Sequence, residues 1–226
     1  MSVPHILIIL TNAATIGPNA RKTGYFFSEV AHPFEVFDRA GVAVEFASPL
    51  GGEPPHDGYD DADPAQRAFR ASKAFRRMSR SRKLSEVDVL DYDAIFIPGG
   101  LGPMVDITGN PTVQRAVSRA HAGGLLVGAV CHGPAALLGV TRDDGTPLLQ
   151  NLKLTSFSNA EEDGYARADV PFMLEQALRA AGADYTSAPP WQPHVVQDGR
   201  VMTGQNPASA APLAEAMVAA LQPAAR

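Results

Sequence analysis

Short apolar runs that stop at turn-forming residues, each followed by a helical pattern, constrain this chain more than any other feature. Ile6–Leu10 (ILIIL) reads as a buried strand, Val42–Ala47 (VAVEFA) as a second, Asp93–Pro98 (DAIFIP) as a third and Leu125–Val130 (LLVGAV) as a fourth. Leu152–Phe157 and Val201–Gly204 are further strand candidates. Between them, Thr23–Ala40 repeats apolar residues at Phe26, Val30, Pro33 and Phe37 and is stopped by Gly41, so the spacing predicts a helix. Thr112–Ala122, Val170–Ala181 and Ser209–Leu221 read as helices, and Pro134–Leu138 opens another. Strands that are apolar throughout must be covered on both faces, which predicts a mostly parallel sheet in an α/β sandwich. In such sheets ligands bind beyond the C-terminal strand ends. The residues after Leu10, Pro98, Val130 and Phe157 are therefore the places where chemistry is expected.

The 226 residues suffice for one α/β domain with a core that needs no staple. One domain is expected, with an insert at about 51–86. Cys131 is the only cysteine, which excludes an internal disulfide framework and a cysteine-rich zinc module. The six histidines show no H-x-x-x-H spacing, so no metal constellation is expected. No run approaches a membrane span, and the first apolar run is too short for a signal-peptide core, so a cytoplasmic protein is expected. A net charge of −5 gives no reason to expect nucleic-acid binding. That charge hides an asymmetry. Eight of the 19 basic residues lie between Pro64 and Lys83 with no acidic residue among them. This segment reads as a solvated surface helix or lid, or else as an anion- or partner-binding patch. The acidic, turn-rich Gly51–Pro64 leads into it, and Pro223–Arg226 reads as a frayed tail.

The fourth strand runs into Cys131-His132-Gly133-Pro134 with no loop between. A strand that turns sharply into a helix presents the turn residue at the sheet edge, as a nucleophile elbow does. A helix N-terminus there would lower the thiol pKa. The alternative is a buried structural cysteine, as lone cysteines often are. The His132 backbone N–H sits where oxyanion donors sit, and its imidazole can shuttle protons or simply cap the helix. Gly99-Gly100 after the third strand can bring a second N–H, that of Gly100, to the same point. Glu29 borders the apolar face of the first helix. If buried, it must be protonated or paired, and a protonated carboxyl can donate to a thiolate. If exposed, it is an ordinary glutamate near a helix start. Glu161 and Glu162 follow the Leu152–Phe157 strand, and one of them could orient His132, or both could be solvated. Trp191 and His194 lie in a proline-rich loop that could wall a pocket and reads chiefly as packing.

Ala129-Val-Cys131-His132-Gly133-Pro134-Ala135, with Pro98-Gly99-Gly100 before it, resembles the PfpI superfamily of class-I glutamine-amidotransferase-like proteins. Lys22-Thr23-Gly24, Glu29-Val-Ala-His32-Pro33-Phe34-Glu35, Thr155–Glu162 and Val201–Ser209 resemble its branch of heat-shock chaperones and glutathione-independent glyoxalases, glyoxalase III. The likeness runs from about residue 4 to 220. It implies a flavodoxin-like three-layer sandwich, usually a homodimer, carrying a small inserted helical lid. It also implies a Cys131-His132-Glu162 arrangement, with Glu161 as the fallback acid, Glu29 against the nucleophile, and Gly100 and His132 as oxyanion donors. The implied activity is conversion of methylglyoxal-type dicarbonyls to 2-hydroxy acids, with no cofactor and no metal. A holdase chaperone and a cysteine hydrolase or protein deglycase are the alternatives. Amidotransferase chemistry is not implied, because His194 is followed by Val195-Val196 and no H-x-E is present. Relatives in this branch carry a histidine where this chain has Leu101, so a polar group is expected to be lost at the pocket mouth.

Overall fold

In a computed structural model, residues 3–221 are described; the tail Pro223–Arg226 lies outside them. Seven strands make one sheet: β1 (His5–Ile9), β2 (Ala43–Ser48), β3 (Arg82–Lys83), β4 (Ala94–Ile97), β5 (Leu126–Val130), β6 (Val195–Asp198) and β7 (Val201–Gly204). Their order is β6-β7-β5-β4-β1-β2-β3, and every pairing except β6 with β7 is parallel. Alternation along the strands splits their side chains between two cores. Leu7, Ile9, Ile95, Ile97, Val127 and Ala129 enter one. Ile6, Ile8, Phe96, Leu126, Val130 and Met202 enter the other. Both faces must therefore be covered, and a flavodoxin-like three-layer sandwich results. One face receives α1 (Ser28–Arg39), α2 (Pro64–Ala71), α3 (Lys73–Met78) and, closing the chain, Ala210–Leu221. The other receives the one-turn α4 (Pro103–Asp106), α5 (Pro111–Ala122) and the segment holding α6 (Asn159–Asp163) and α7 (Leu174–Ala180). The C-terminal Ala210–Leu221 is α8.

Four elements differ from the sequence expectation, one of them the helix expected over Val170–Ala181, which spans Leu174–Ala180. The first helix begins at Ser28, five residues later than Thr23, because the preceding backbone is extended. There Tyr25 N–H donates to Pro55 O (3.0 Å) and Phe26 N–H to Gly99 O (3.0 Å), which ties the insert and the turn after β4 together. Leu152–Phe157 is not a strand of the main sheet. Only Lys153–Leu154 is extended, in a side ladder with Asp184–Tyr185, because the β6–β7 hairpin already fills the edge beyond β5. The turn after Cys131 is a short 3-10 helix, Gly133–Leu137, not an α-helix.

The insert is built as two capped helices. Asp63 accepts from Ala65 and Gln66 N–H to start α2, and Ser72 accepts from Phe75 N–H to start α3. Its basic residues turn outward while Phe69 and Met78 are buried. Phe69 meets Phe27, Phe34 and Phe75 at ring distances of 5.8, 5.0 and 5.7 Å, so the insert shares the core of α1 and β2. Five cations, Lys73, Arg76, Arg77, Arg80 and Arg82, line a groove of about 1300 Å³ beside β2.

Candidate active site

β1 is the switch point of the topology: the chain goes to β2 on one side and later returns to β4 and β5 on the other. The C-terminal ends of β4 and β5 carry the site. β5 ends at Val130, and Cys131 follows in the left-handed region at φ 61. A non-glycine residue stays there only when its surroundings enforce it. Here Cys131 N–H donates to Gly204 O (2.9 Å) and Cys131 O accepts from Phe157 N–H (2.8 Å). The elbow geometry is thus present.

The glycines after β4 are required by space. A Cβ on Gly99 would stand 2.6 Å from Cys131 Cβ and 2.8 Å from Glu29 Oε2. Gly100 has φ +89, and a Cβ there would lie 2.4 Å from Gly24 O. Leu101, by contrast, is buried in the core between the sheet and α4 and does not line the pocket. The position expected at the pocket mouth thus lies in the apolar core.

His132 is completely buried and contacts the cysteine beside it: Nδ1 lies 3.3 Å from Sγ. Its Nε2 lies 2.7 Å from Glu162 Oε2. A carboxylate at Nε2 assigns the proton to that nitrogen and leaves Nδ1 to accept from the thiol. Glu161 faces elsewhere. As the third residue of a capping box, its Oε2 accepts from Ser158 N–H (2.9 Å) and Ser158 Oγ (2.8 Å), while Oε1 accepts from Trp191 N–H (2.8 Å). The carboxylate against His132 is Glu162, and Glu161, the fallback, is not in that position.

Glu29 lies on the first turn of α1 with no exposed surface, and its Oε2 accepts from Gly99 N–H at 2.6 Å. Burial pushes its pKa up to about 8; hydrogen bonds from Cys131 and Gly99 pull the other way. The Cys131 thiol is also raised, first by burial and then by the Glu29 charge, with the backbone N–H groups of Gly100 and His132 opposing. The sequence expectation of a lowered thiol pKa is therefore reversed. The helix that follows is too short and the sulfur too dry for the N-terminal field to win.

Above the sulfur is a cavity of about 40 Å³ lined by Phe26, Phe157, Tyr165 and Trp191 over Cys131 and His132. Tyr165 is a pocket residue that the sequence did not reveal, whereas the loop of Trp191 offered a pocket wall as one of two readings, and Trp191 lines the cavity. Tyr165 lies three residues after Glu162, a helical offset that would have placed both on one side. His194 does not reach the cavity; its Nε2 pairs with Thr186 Oγ1 (3.0 Å). Among the described residues no cluster of three or more His, Cys, Asp or Glu can hold a metal, and no helix is long and apolar enough to cross a membrane.

Fold and site together define a doubly wound α/β protein built around a buried cysteine at an elbow, with histidine and carboxylates behind it. The chain belongs to the DJ-1/PfpI family, whose model matches residues 23–220. Glyoxalase 3 of Candida albicans is 31% identical over 231 residues, covering 96% of this chain and 98% of the fungal protein. The glutathione-independent glyoxalase HSP31 of Saccharomyces cerevisiae is 31% identical over 227 residues, 93% of this chain and 94% of the yeast protein. The solved structure of the 24 kDa Rapid Encystment Protein of Francisella tularensis superposes with a TM-score of 0.93 at 34% identity, covering 98% of this chain and all of that one.

Proposed function

We propose that this chain is a cysteine-dependent glyoxalase that needs no glutathione and converts methylglyoxal-type 2-oxoaldehydes plus water into 2-hydroxy acids, D-lactate from methylglyoxal. The observation that carries this reading is the unbroken line Cys131 Sγ–His132–Glu162, 3.3 and 2.7 Å, beneath a small pocket over the sulfur. The names of its two fungal relatives support the same activity.

In this reading His132 Nδ1 takes the thiol proton, and Glu162 stabilises the imidazolium that forms. Burial makes a bare thiolate costly, and the N–H groups of Gly100 and His132 offset part of that cost, while Glu29, protonated near neutral pH, sets no charge against it. The thiolate adds to the aldehyde carbon to form a hemithioacetal. The oxyanion meets the same Gly100 and His132 N–H groups as it develops. His132 then carries the C1 proton to C2 through an enediol, leaving a thioester of the hydroxy acid. Water cleaves the thioester and returns the thiol, so the net change is addition of one water to the dicarbonyl. The cavity of about 40 Å³ favours a small aldehyde over the peptide or glycated side chain that a hydrolase or deglycase would need to admit. No cofactor or metal enters any step. The proposal also takes the protein as a homodimer, as the family resemblance implies, and as cytoplasmic; light scattering on the purified chain tests the assembly.

The decisive measurement is D-lactate formed from methylglyoxal by the wild type and by Cys131→Ala. Turnover confined to the wild type is expected. Equal turnover by both would overturn the mechanism, and suppression of client aggregation by both without any turnover would favour a holdase.

A further inference from the structure

Trp191 stands in the left-handed region at φ 64, where a bulky L residue is a clear outlier. Its indole is half exposed, yet it closes the Cys131 cavity, edge-on to Phe157 (5.5 Å) and Tyr165 (6.3 Å). Phe157 in turn lies 4.6 Å from the His132 ring. Something must hold a strained loop in this place, and the hydrogen bonds show what does. Glu161, 1% exposed, gives one oxygen to Trp191 N–H and to Asn206 Nδ2, both at 2.8 Å. Its other oxygen accepts from Gln205 Nε2 at 3.1 Å besides the two Ser158 donors. Asn206 Nδ2 also donates to Gln192 O (2.8 Å), and Gln205 Oε1 accepts from Ala188 N–H (2.8 Å). One buried carboxylate and two amides thus pin residues 188–192 on both sides of the tryptophan.

The cavity beneath is small. Its volume is about 40 Å³, and it lies directly over Cys131 and His132. Trp191 forms part of the wall of that cavity, so a bulky substituent on an aldehyde at Cys131 would compete with the indole for space.

We propose that Trp191 sets the size limit for aldehydes reaching Cys131, and that Glu161 is the positioning residue that holds it there. The inference rests on the glyoxalase reading for its substrate class. The two neighbouring carboxylates of α6 then divide the work: Glu162 holds the base and Glu161 holds the pocket wall.

Trp191 is the only tryptophan in the chain, so its emission reports this side chain alone. The experiment compares wild type, Glu161→Ala and Trp191→Gly, the last chosen because glycine accepts the left-handed backbone. Folding is checked by circular dichroism. Three quantities are read: acrylamide quenching of the tryptophan, the ratio of kcat/KM for phenylglyoxal to that for methylglyoxal, and the ratio of Cys131 alkylation rates by a benzyl halide and iodoacetamide. Trp191→Gly is expected to raise both ratios by roughly ten-fold or more. Glu161→Ala is expected to raise them as well and to increase quenching about two-fold, the tryptophan being freed but retained. Unchanged ratios in folded Trp191→Gly would overturn the size limit. Wild-type quenching and ratios in folded Glu161→Ala would overturn the positioning role. If the wild type turns over neither aldehyde, the glyoxalase reading fails, while quenching and alkylation still decide the gate. If Glu161→Ala does not fold, Glu161→Gln takes its place, and wild-type quenching and ratios in that variant count against the positioning role.

Discussion

Glu29→Gln isolates one buried proton. Glu29 is fully buried, with one oxygen on Gly99 N–H and the other without a nitrogen or oxygen partner. Its pKa rises from the ordinary 4.5 to about 8 because the charged form loses its water. The unfolded chain gives up this proton near 4.5 and the folded chain only near 8. Below the lower value both states hold the proton and the stability contribution is intact. As pH climbs between the two values the unfolded state ionises first and gains, so the folded protein loses stability until its own carboxyl titrates. At 1.36 kcal/mol per pH unit, that window corresponds to roughly 4–5 kcal/mol. Glutamine keeps an acceptor for Gly99 N–H and does not titrate. The assay is urea unfolding of wild type and variant at several pH values from about 5 to about 8.5. The stability of the wild type relative to the variant is expected to fall by about 4 kcal/mol across the series. Titrating groups away from the site cancel in that difference, and Cys131, which Glu29 perturbs, enters only toward the alkaline end of the series. A difference that stays constant within about 1 kcal/mol would refute the claim that burial keeps Glu29 protonated near neutral pH.

Three further outcomes follow from the same geometry. Glu162→Gln removes the charge that stabilises the His132 imidazolium, so kcat for methylglyoxal is expected to drop roughly 10²-fold or more while the melting temperature moves little, read by steady-state kinetics and calorimetry. Gly100→Ala places a methyl 2.4 Å from Gly24 O at φ +89, so a loss of at least about 2 kcal/mol in urea unfolding and slower iodoacetamide labelling of Cys131 are expected. Phe69→Ala empties the aromatic cluster under the insert and is expected to cost roughly 3–5 kcal/mol in the same assay; a loss below about 1 kcal/mol would show that the insert is not part of the core.

The layered α/β architecture was legible because apolar strands of four to six residues leave no other way to cover both faces of a sheet. The four central strands came out within a residue or two of the expected runs. Leu152–Phe157 misled because its apolar content is that of a strand; whether it enters the sheet depends on a hairpin forty residues later taking the edge. Thr23–Ala40 misled because Phe26 continues the helical spacing of Val30, Pro33 and Phe37, while the Tyr25 and Phe26 backbone bonds go to Pro55 and Gly99.

The site divides in the same way. By itself the sequence determined that a cysteine ends a buried strand, that histidine follows, and that glycines end the neighbouring strand, because these are local facts of residue type and spacing. Only the tertiary structure decided that Glu162 and not Glu161 meets His132, since both lie in one turn and the capping box commits Glu161 to Ser158. It alone decided the direction of the thiol pKa, because desolvation depends on everything packed around the sulfur and on a carboxylate a hundred residues away. It also decided that Trp191, from a loop that could wall a pocket or merely pack, is a pocket wall, through a contact with Glu161 30 positions back in the chain. Local chemistry is written along the chain; burial and partnership are properties of the folded volume.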